Sequence, residues 1–227
     1  MSKLSIIIPV LDEGEGIAAA LDRLSDLRAL GTDVIVVDGG SRDATIQRAR
    51  ARADRVILAP RGRALQMNAG AEKASGGVLL FLHADTRLPT DADLAVLNGL
   101  ERSGRSWGRF DVKIEGRSPP LIVVAWLMNM RSRLTGIATG DQAIFVRRAA
   151  FQATGGFPAI PLMEDIALCK RLKRVSRPLC LRERVTTSGR RWEKNGVLKT
   201  MVLMWRLRLA YFFGADPKKL AQQYGYE

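Results

Sequence analysis

Acidic side chains and the only histidine of the chain follow apolar segments of the kind that form buried strands. Glu13 follows "LSIIIPV", and Asp38 ends "DVIVVD". His83 and Asp85 end "GVLLFLHAD", and ligands of open parallel sheets bind beyond such strand ends. Carboxylates brought together there are unfavourable without a cation, and oxygen ligands suit Mg²⁺ or Mn²⁺ with a phosphate-bearing ligand. Solvated turn aspartates are the alternative explanation of the same pattern.

A second pair of acids, Glu164 and Asp165, begins the charged segment "MEDIALCKRLKR", which is predicted to be a helix. Adjacent helical residues project about 100° apart, so only one of the pair would face a given ligand. Acids in a first helical turn also stabilise the helix dipole without any catalytic role. The residues alone leave both interpretations open.

The elements that must position these side chains alternate regularly over the first half of the chain. Continuous apolar runs rich in β-branched residues indicate strands that are covered on both faces. Helical patterns separate them, including the amphipathic stretch from Ile17 to Leu27 and "RALQMNAGAEKASG". This alternation predicts an α/β fold, with a mostly parallel central sheet, flanking helices and right-handed crossovers.

The second half is less regular. Strands are predicted in "RSWGRFDVKIEG", "DQAIFVRR" and "PLCLRERVTTS", and an apolar helix is predicted in "LIVVAWLMNM". A long helical pattern rich in Met, Leu and Trp runs from Gly196 to Phe213. No repeat, low-complexity tract or linker interrupts the sequence, which predicts a single domain over residues 1–227.

The composition favours a cytoplasmic protein that meets an anionic ligand or surface. The net charge of +13 implies attraction to a phosphorylated ligand, a membrane surface or nucleic acid. Cys169 and Cys180 have no partner cluster, which suits buried thiols in a reducing compartment. One histidine excludes a zinc site built on several imidazoles. No signal peptide or ordinary membrane span is expected.

An ordered set of motifs resembles the family 2 glycosyltransferases over about 190 residues, up to Trp192. The motifs are "SIIIPVLDE", "VIVVDGGSRDAT", "RALQMNAGA", "FLHADT", "GDQAIFVRRAAFQATGGFP", "MEDIALCKRL" and "SGRRW". Within the family, "VVDGGS" and "RRW" are most similar to short bacterial members associated with arsenosugar pathways. The resemblance implies the GT-A fold, a Rossmann-like sheet that binds a nucleotide-sugar. It divides the chain into a donor half (1–90), an acceptor half (91–195) and an apolar C-terminal helical segment (196–227).

On the donor side, the resemblance implies a metal-assisted nucleotide-sugar site. Asp85 would bind Mg²⁺ or Mn²⁺, with His83 as a weaker ligand or a hydrogen-bond donor to phosphate or sugar. A UDP-sugar is the first expectation from the family. The family usually has two aspartates where this chain has Asp38 and Gly39, and the missing second carboxylate leaves the donor base open. The donor-binding residues would be Pro9, Val10, Glu13, Asp38, Gly39, Arg61, Arg63, Ala84 and Asp85.

On the acceptor side, the resemblance implies an inverting hexosyltransferase with an aspartate base. Asp165 would take the proton of the acceptor hydroxyl, because transfer to an alcohol needs its deprotonation. Glu164 would support it. The acceptor contacts would be Asp141, Arg191 and Trp192.

Three other functions fit parts of the sequence. "GEGIAA" followed by Asp38 fits a dinucleotide fingerprint. However, Leu11, Asp12 and Glu13 lengthen the turn, and the charges of Asp12, Glu13 and Glu15 would repel a pyrophosphate. A nucleotidyltransferase acting on sugar phosphates would need a basic, Gly-rich loop where "PVLDEGEG" is acidic. The charge also allows a nucleic-acid-binding module, but no recognisable motif accompanies it, and no nucleic acid is expected as a partner.

The C-terminal segment "GVLKTMVLMWRLRLAYFFG" supports two interpretations. Arg206 and Arg208 argue against a membrane span, and the apolar circumference is too wide for a simple surface helix. The segment would therefore pack as core or as a homodimer contact, or lie in the interface of an anionic membrane with Trp205 at headgroup level. The second interpretation would suit a lipid-linked acceptor and peripheral attachment at the inner face of the membrane.

Overall fold

A computed structural model of the protein describes residues 3–225. These residues form one sheet of eight strands. In chain order the strands are β1 (Leu4–Val10), β2 (Asp33–Asp38), β3 (Arg55–Leu58), β4 (Val78–Phe81), β5 (Thr86–Arg87), β6 (Trp107–Glu115), β7 (Phe145–Arg147) and β8 (Leu179–Ser188).

Helices cover the sheet and connect its strands. A single 3₁₀ turn spans Gly140–Gln142. The α-helices of the described residues are α1 (Ile17–Asp22), α2 (Ser25–Ala29), α3 (Thr45–Arg50), α4 (Arg63–Lys73), α5 (Ala92–Ser103), α6 (Pro120–Thr135), α7 (Arg148–Ala153), α8 (Glu164–Leu172), α9 (Arg190–Asn195), α10 (Val197–Phe212) and α11 (Pro217–Tyr224).

The strand order is β3-β2-β1-β4-β7-β6-β8-β5. β1 pairs in parallel with β2 and β4, and β2 pairs in parallel with β3. Beyond β4 the directions mix, because β7 is antiparallel to β4 and β6 while β6 and β8 are parallel. The α/β class with flanking helices is confirmed, and the carboxyl ends of β1, β2 and β4 lie at one edge of the sheet.

The core explains why the first strands are continuous apolar runs. Alternate residues of β1 enter different clusters, with Ile6 and Ile8 on one face of the sheet and Ile7 on the other. Both faces are covered by helices, as expected for parallel strands that read as unbroken hydrophobic segments. A third, smaller cluster joins α8, α10 and α11 through Ile166, Leu207 and Leu220. One face of α10 is thereby fixed to the body of the protein.

The structure differs from the sequence-based elements at two places that matter for the site. The fourth strand ends at Phe81, whereas the sequence predicted a strand through Asp85. The chain turns there, and the Thr86 N–H donates to the His83 carbonyl over 3.0 Å. Turning early frees the "HAD" side chains from the sheet, and a two-residue strand then pairs with β8. The apolar stretch predicted as one helix over Ile17–Leu27 is divided into α1 and α2.

Candidate active site

A cavity of about 460 Å³ opens at the carboxyl ends of β1 and β4. The start of α8, the 3₁₀ turn, α6, α9 and α10 supply most of the rest of its lining, together with Ser188 of β8 and Tyr224 of α11. Val10, Asp38, Gly39 and Arg61 lie outside this lining. The residues predicted from sequence that do line it are Pro9, Glu13, Arg63, His83, Ala84, Asp85, Asp141, Glu164, Asp165, Arg191 and Trp192.

The loop after β1 is held by side chains of the loop after β2. The Glu13 N–H donates to Thr45 Oγ1 over 2.9 Å, and the Gly14 N–H donates to Asp43 Oδ2 over 2.8 Å. The Gly14 amide, which a dinucleotide fingerprint would turn towards a pyrophosphate, is thus occupied by a carboxylate. Burial raises the pKa of Glu13, and the nearby charge of Asp85 adds to this effect. Glu13 and Asp85 therefore share one corner of the cavity.

Asp38 is fully buried, and its carboxylate stabilises its own turn. Oδ2 accepts the N–H groups of Gly40 and Ser41 over 2.8 and 2.9 Å, and Oδ1 accepts the Ser41 hydroxyl. Gly39 packs closely on the side chain of Gln66, with only 3.0 Å between Gln66 Oε1 and the position of an added Cβ. In the conformation observed, Asp38 shapes the loop rather than the cavity wall.

Gln66 on α4 joins the ends of β1 and β2, a role that the sequence did not predict. Its buried Nε2 donates to the carbonyls of Val10 and Val37, each over 2.8 Å. These carbonyls lie beside the last sheet pairings of the two strands. The available signal was a polar residue on the otherwise apolar stripe of "RALQMNAGA", since buried polar side chains need partners.

The turn after β4 brings His83 to Asp141 and turns Asp85 outward. His83 Nδ1 lies 3.4 Å from Asp141 Oδ1, and the His83 ring packs on Gly140, where an added Cβ would lie 2.5 Å from Cε1. Burial is the largest single influence on the pKa of Asp141 and raises it, but the hydrogen bond with His83 and the charges of His83, Arg63 and Arg191 together outweigh burial and lower the pKa. Asp85, in contrast, is exposed at the cavity.

Glu164 is buried and Asp165 is partly buried at the opposite wall, where α8 begins. Asp165 Oδ2 accepts the Gly140 N–H over 3.1 Å, and its Oδ1 accepts the Ile166 N–H over 2.7 Å. Burial raises the pKa of Glu164 to about 7, with a further contribution from the charge of Asp165. Burial also raises the pKa of Asp165. A carboxyl whose pKa lies near neutrality is suited to accept and release protons.

The approach to α8 is fixed by one side chain of α4. Asn68 Nδ2 donates to the Phe157 carbonyl over 2.8 Å, and Asn68 Oδ1 accepts the Phe157 N–H over 2.9 Å. Met163, directly before Glu164, has a left-handed backbone with φ +69°. Such a backbone conformation is uncommon for residues other than glycine, and it turns the chain sharply into α8.

Arg131 on α6 adds a cation that the sequence did not single out. Its Nε and Nη2 atoms are buried and have no hydrogen-bond partner among the described residues. Burial lowers its pKa, and the charges of Asp165 and Asp141 oppose this effect. Arg131 therefore supplies positive charge behind the acidic wall. The signal that could have found it was an arginine directly after the apolar stretch "LIVVAWLMNM" of a predicted helix.

Arg191 and Trp192 enter the cavity from α9, near the C-terminus of the described chain. The Arg191 guanidinium lies 3.8 Å from the centre of the Tyr224 ring, and Nη2 donates to the Tyr224 carbonyl over 3.2 Å. Tyr224 also lines the cavity. The Arg-Trp motif is thus held by α11, a helix that the sequence reading left without a role.

The donor-side acids fit a metal that is shared with a ligand better than a metal enclosed by protein. Within residues 3–225, no group of three or more His, Cys, Asp or Glu side chains is placed to hold an ion. Mg²⁺ usually takes one or two carboxylates plus substrate phosphates. Exposed Asp85, with Glu13 beside it, fits that donor set.

The family comparison gives one match, and it covers well over half of the chain. The model for "Glycosyl transferase family 2" matches residues 5–151. This range contains the donor-side turn and ends inside α7, before the acids of α8. A search among curated proteins finds no match to the sequence.

Solved structures match over a larger part of the chain. The mannosyltransferase PcManGT from Pyrobaculum calidifontis, in complex with GDP-Man and Mn²⁺, has a TM-score of 0.65, 22% identity and 92% coverage of this chain. S. aureus TarS 1–349 in complex with UDP-GlcNAc has a TM-score of 0.67, 20% identity and 82% coverage. Glucosyl-3-phosphoglycerate synthase from Mycobacterium tuberculosis, with Mn²⁺, UDP and phosphoglyceric acid, has a TM-score of 0.61, 21% identity and 82% coverage.

The comparison of lengths limits what these likenesses establish. The chain spans 61%, 58% and 69% of those three structures respectively. At 20–22% identity the likeness establishes the fold, which is the GT-A type that the motifs predicted.

Proposed function

The chain belongs to glycosyl transferase family 2, and on that premise we propose that it transfers a sugar from a nucleotide-sugar to an acceptor hydroxyl with inversion at the anomeric carbon. One observation carries the proposal: a single cavity has an exposed acid, Asp85, at its donor edge and two less exposed acids, buried Glu164 and partly buried Asp165, at the start of α8. An exposed acid suits a metal-bound phosphate, and a buried acid suits proton transfer.

The donor lies at the ends of β1 and β4 in this proposal. Pro9 and Glu13 contact the nucleoside side, Arg63 meets the phosphates, and Ala84 and Asp85 lie beside the diphosphate. Mg²⁺ or Mn²⁺ held by Asp85 would neutralise the leaving nucleoside diphosphate. Val10 and Gly39 act indirectly, through their contacts with Gln66, and Asp38 does so through the turn that its carboxylate stabilises. Arg61 is exposed and outside the cavity lining, and it contributes long-range charge.

Asp165 is the base in this mechanism. The acceptor oxygen attacks the anomeric carbon as its proton passes to Asp165, and the bond between that carbon and the diphosphate oxygen breaks. The N–H groups of Gly140 and Ile166 orient the Asp165 carboxylate, and this leaves its remaining lone pairs for the acceptor. Glu164 supports the base as its adjacent carboxyl, since the charge of Asp165 contributes to the raised pKa of Glu164. Asp141, paired with His83, positions the donor-side turn against the acceptor side.

We propose the donor sugar and its base by comparison with the relatives. TarS 1–349 was solved with UDP-GlcNAc and PcManGT with GDP-Man, so both bases occur on this fold. We take a UDP-hexose as the donor, with GDP-mannose as the competing substrate. Arg191 and Trp192 contact the acceptor. On the motifs "VVDGGS" and "RRW" we also place the chain among the short arsenosugar-associated members of the family.

A donor panel tests the proposal directly. Purified protein with Mn²⁺ is incubated with UDP- and GDP-sugars, and nucleoside diphosphate release is measured with and without chelator. We expect metal-dependent release from at least one donor. Failure with every donor would contradict the proposal, and three readouts would identify a rival function. These are stabilisation by NAD(H) for an oxidoreductase, pyrophosphate release from nucleoside triphosphate and sugar phosphate for a nucleotidyltransferase, and salt-sensitive DNA binding for a nucleic-acid-binding module.

A further inference from the structure

Helix α10 carries a stripe of exposed apolar side chains along its outward face. Leu198, Val202, Trp205, Leu209 and Phe212 recur every three or four residues, and each is more than half exposed. This spacing places them on one side of a helix. The opposite side holds Leu207, which is fully buried in the cluster with α8 and α11. The stripe is therefore the outward face of a firmly packed helix.

Helix α6 contacts α10 and extends the same surface. Its exposed apolar residues are Ile122, Val123, Trp126, Met130 and Leu134, of which Ile122 is 75% exposed. Together with the α10 stripe they form what we call the α6–α10 surface. Large exposed apolar areas on a soluble domain mark sites of interaction. Within residues 3–225, no helix has both the length and the hydrophobicity to cross a membrane.

The charges around the α6–α10 surface are positive. Lys199 and Arg206 flank the α10 stripe on one side and Arg208 lies on the other, as the 100° step of a helix dictates. Neither α6 nor α10 contains an acidic residue. Residues 190–219 contain eight Lys or Arg residues and only two acids. The surface thus combines exposed Trp and Leu side chains with a border of cations.

We propose that the α6–α10 surface docks on the interface of an anionic membrane. Apolar side chains of this kind enter the boundary between headgroups and acyl chains, while flanking Lys and Arg meet anionic lipids. Trp126 and Trp205 suit the headgroup level, where tryptophan is enriched. A second copy of the chain would cover the apolar stripes but would also oppose like cations, in a protein with a net charge of +13. The positive border of the surface is complementary to anionic lipids and not to a second cationic copy, so we infer that the membrane is the partner.

Docking would place the mouth of the cavity at the lipid headgroups. Leu127 and Met128 of α6 line the cavity, as do Met201, Met204 and Trp205 of α10. The side of the cavity next to the α6–α10 surface is consequently mostly apolar, with Arg131 and Arg208 as the cations among its lining residues. Resting on the proposed function, this assigns the acceptor to hydroxyl-bearing amphiphiles whose apolar part lies between α6 and α10 and whose hydroxyl reaches the Glu164–Asp165 wall.

Vesicle flotation tests the docking. The full chain is mixed with vesicles of pure phosphatidylcholine, or of phosphatidylcholine with about one third phosphatidylglycerol, at low and high salt. We expect binding to the anionic vesicles that is at least roughly tenfold stronger than to neutral ones and that weakens at high salt. Absence of binding to anionic vesicles at low salt, by folded monomeric protein, would overturn the proposal.

Two pairs of variants separate the α6–α10 surface from general hydrophobicity and charge. Leu198→Ser with Leu209→Ser should weaken anionic vesicle binding roughly tenfold. Leu30→Ser with Leu58→Ser removes equally exposed leucines elsewhere and should leave it within about twofold. Lys199→Glu with Arg206→Glu should weaken binding more than Arg50→Glu with Arg102→Glu, which changes the net charge equally. Equal effects within either pair would overturn the assignment of the surface.

Two further measurements separate this proposal from others. Light scattering reports on a second copy: a dimer of the wild-type chain that Leu198→Ser with Leu209→Ser dissociates would assign the surface to self-association and overturn membrane docking. Nucleoside diphosphate release without vesicles reports on the proposed transferase activity alone. If the wild-type chain does not bind anionic vesicles but still releases nucleoside diphosphate, the docking is rejected and the proposed function stands.

Discussion

The two walls of the cavity hold their acids in different surroundings. Asp85 follows β4 on an exposed turn, whereas Glu164 at the start of α8 keeps 7% of its surface exposed. Burial raises the pKa of Glu164 to about 7 and also raises the pKa of Asp165. Water stabilises the charge of an exposed carboxylate, which remains available to a cation. A buried carboxylate favours its protonated form, which suits proton transfer near neutral pH.

The largest effect should come from the exposed wall. Asp85→Asn keeps the volume but removes the charge, so phosphate neutralisation is lost and transfer should fall by roughly 10³-fold. Excess chelator should reproduce the loss in the wild type. Steady-state rates across a Mn²⁺ titration measure the effect, and Asp26→Asn on the exposed helix α2 is the matched control. Full turnover of the wild type in excess chelator would exclude the metal role.

The buried wall should separate catalysis from donor binding. Asp165→Asn removes the base, and transfer should fall roughly 10²-fold or more, while the donor dissociation constant stays within a few fold. Isothermal titration with the nucleoside diphosphate and Mn²⁺, alongside single-turnover rates, measures both quantities. A joint loss of donor affinity and transfer would make Asp165 a donor ligand and Glu164 the better candidate for the base.

The burial of Glu164 also predicts how the stability depends on pH. Its pKa rises from an ordinary 4.5 to about 7 in the folded protein, so the folded state binds the proton more tightly than the unfolded state. This contribution to stability is complete below about pH 4.5 and is lost as the pH rises to about 7. Glu164→Gln should therefore match the wild type near pH 5 and exceed it near pH 8 by on the order of 2–3 kcal/mol. Urea unfolding at both pH values measures the difference, with exposed Glu72→Gln as control.

The sequence predicted the donor half well because its signals are local. The runs "LSIIIPV" and "DVIVVD" are buried on both faces, as their unbroken hydrophobicity indicated, and the bounds of β1 and α4 follow the patterns closely. The turn at His83 was harder to predict. Leu82 is as buried as the strand before it, so hydropathy does not reveal that the strand pairing ends at Phe81.

The acceptor side depends on partners that are distant in the chain. Gly140 supplies the N–H that orients Asp165, and Asn68 holds Phe157 from 89 residues away. No periodicity links such residues, so the sequence could name Asp165 but not its surroundings. Similarly, the pattern of α10 left two interpretations, since an apolar stripe looks the same in sequence whether it is buried or exposed.

Gly140 is where the two walls meet, and the smallest predicted effect comes from changing it. An added Cβ would lie 2.5 Å from His83 Cε1, so Gly140→Ala must displace the His83 ring from Asp141 while the adjoining N–H still reaches Asp165. A shift of this size in a positioning group should lower transfer by roughly tenfold. Gly16→Ala is the matched control, because its added Cβ would meet nothing within 4 Å. If Gly140→Ala lowers transfer but leaves donor affinity unchanged, the His83–Asp141 pair serves the acceptor wall. If donor affinity falls instead, the His83–Asp141 pair acts with Asp85 in donor binding. The pair then belongs to the exposed donor wall and not to the buried acceptor wall.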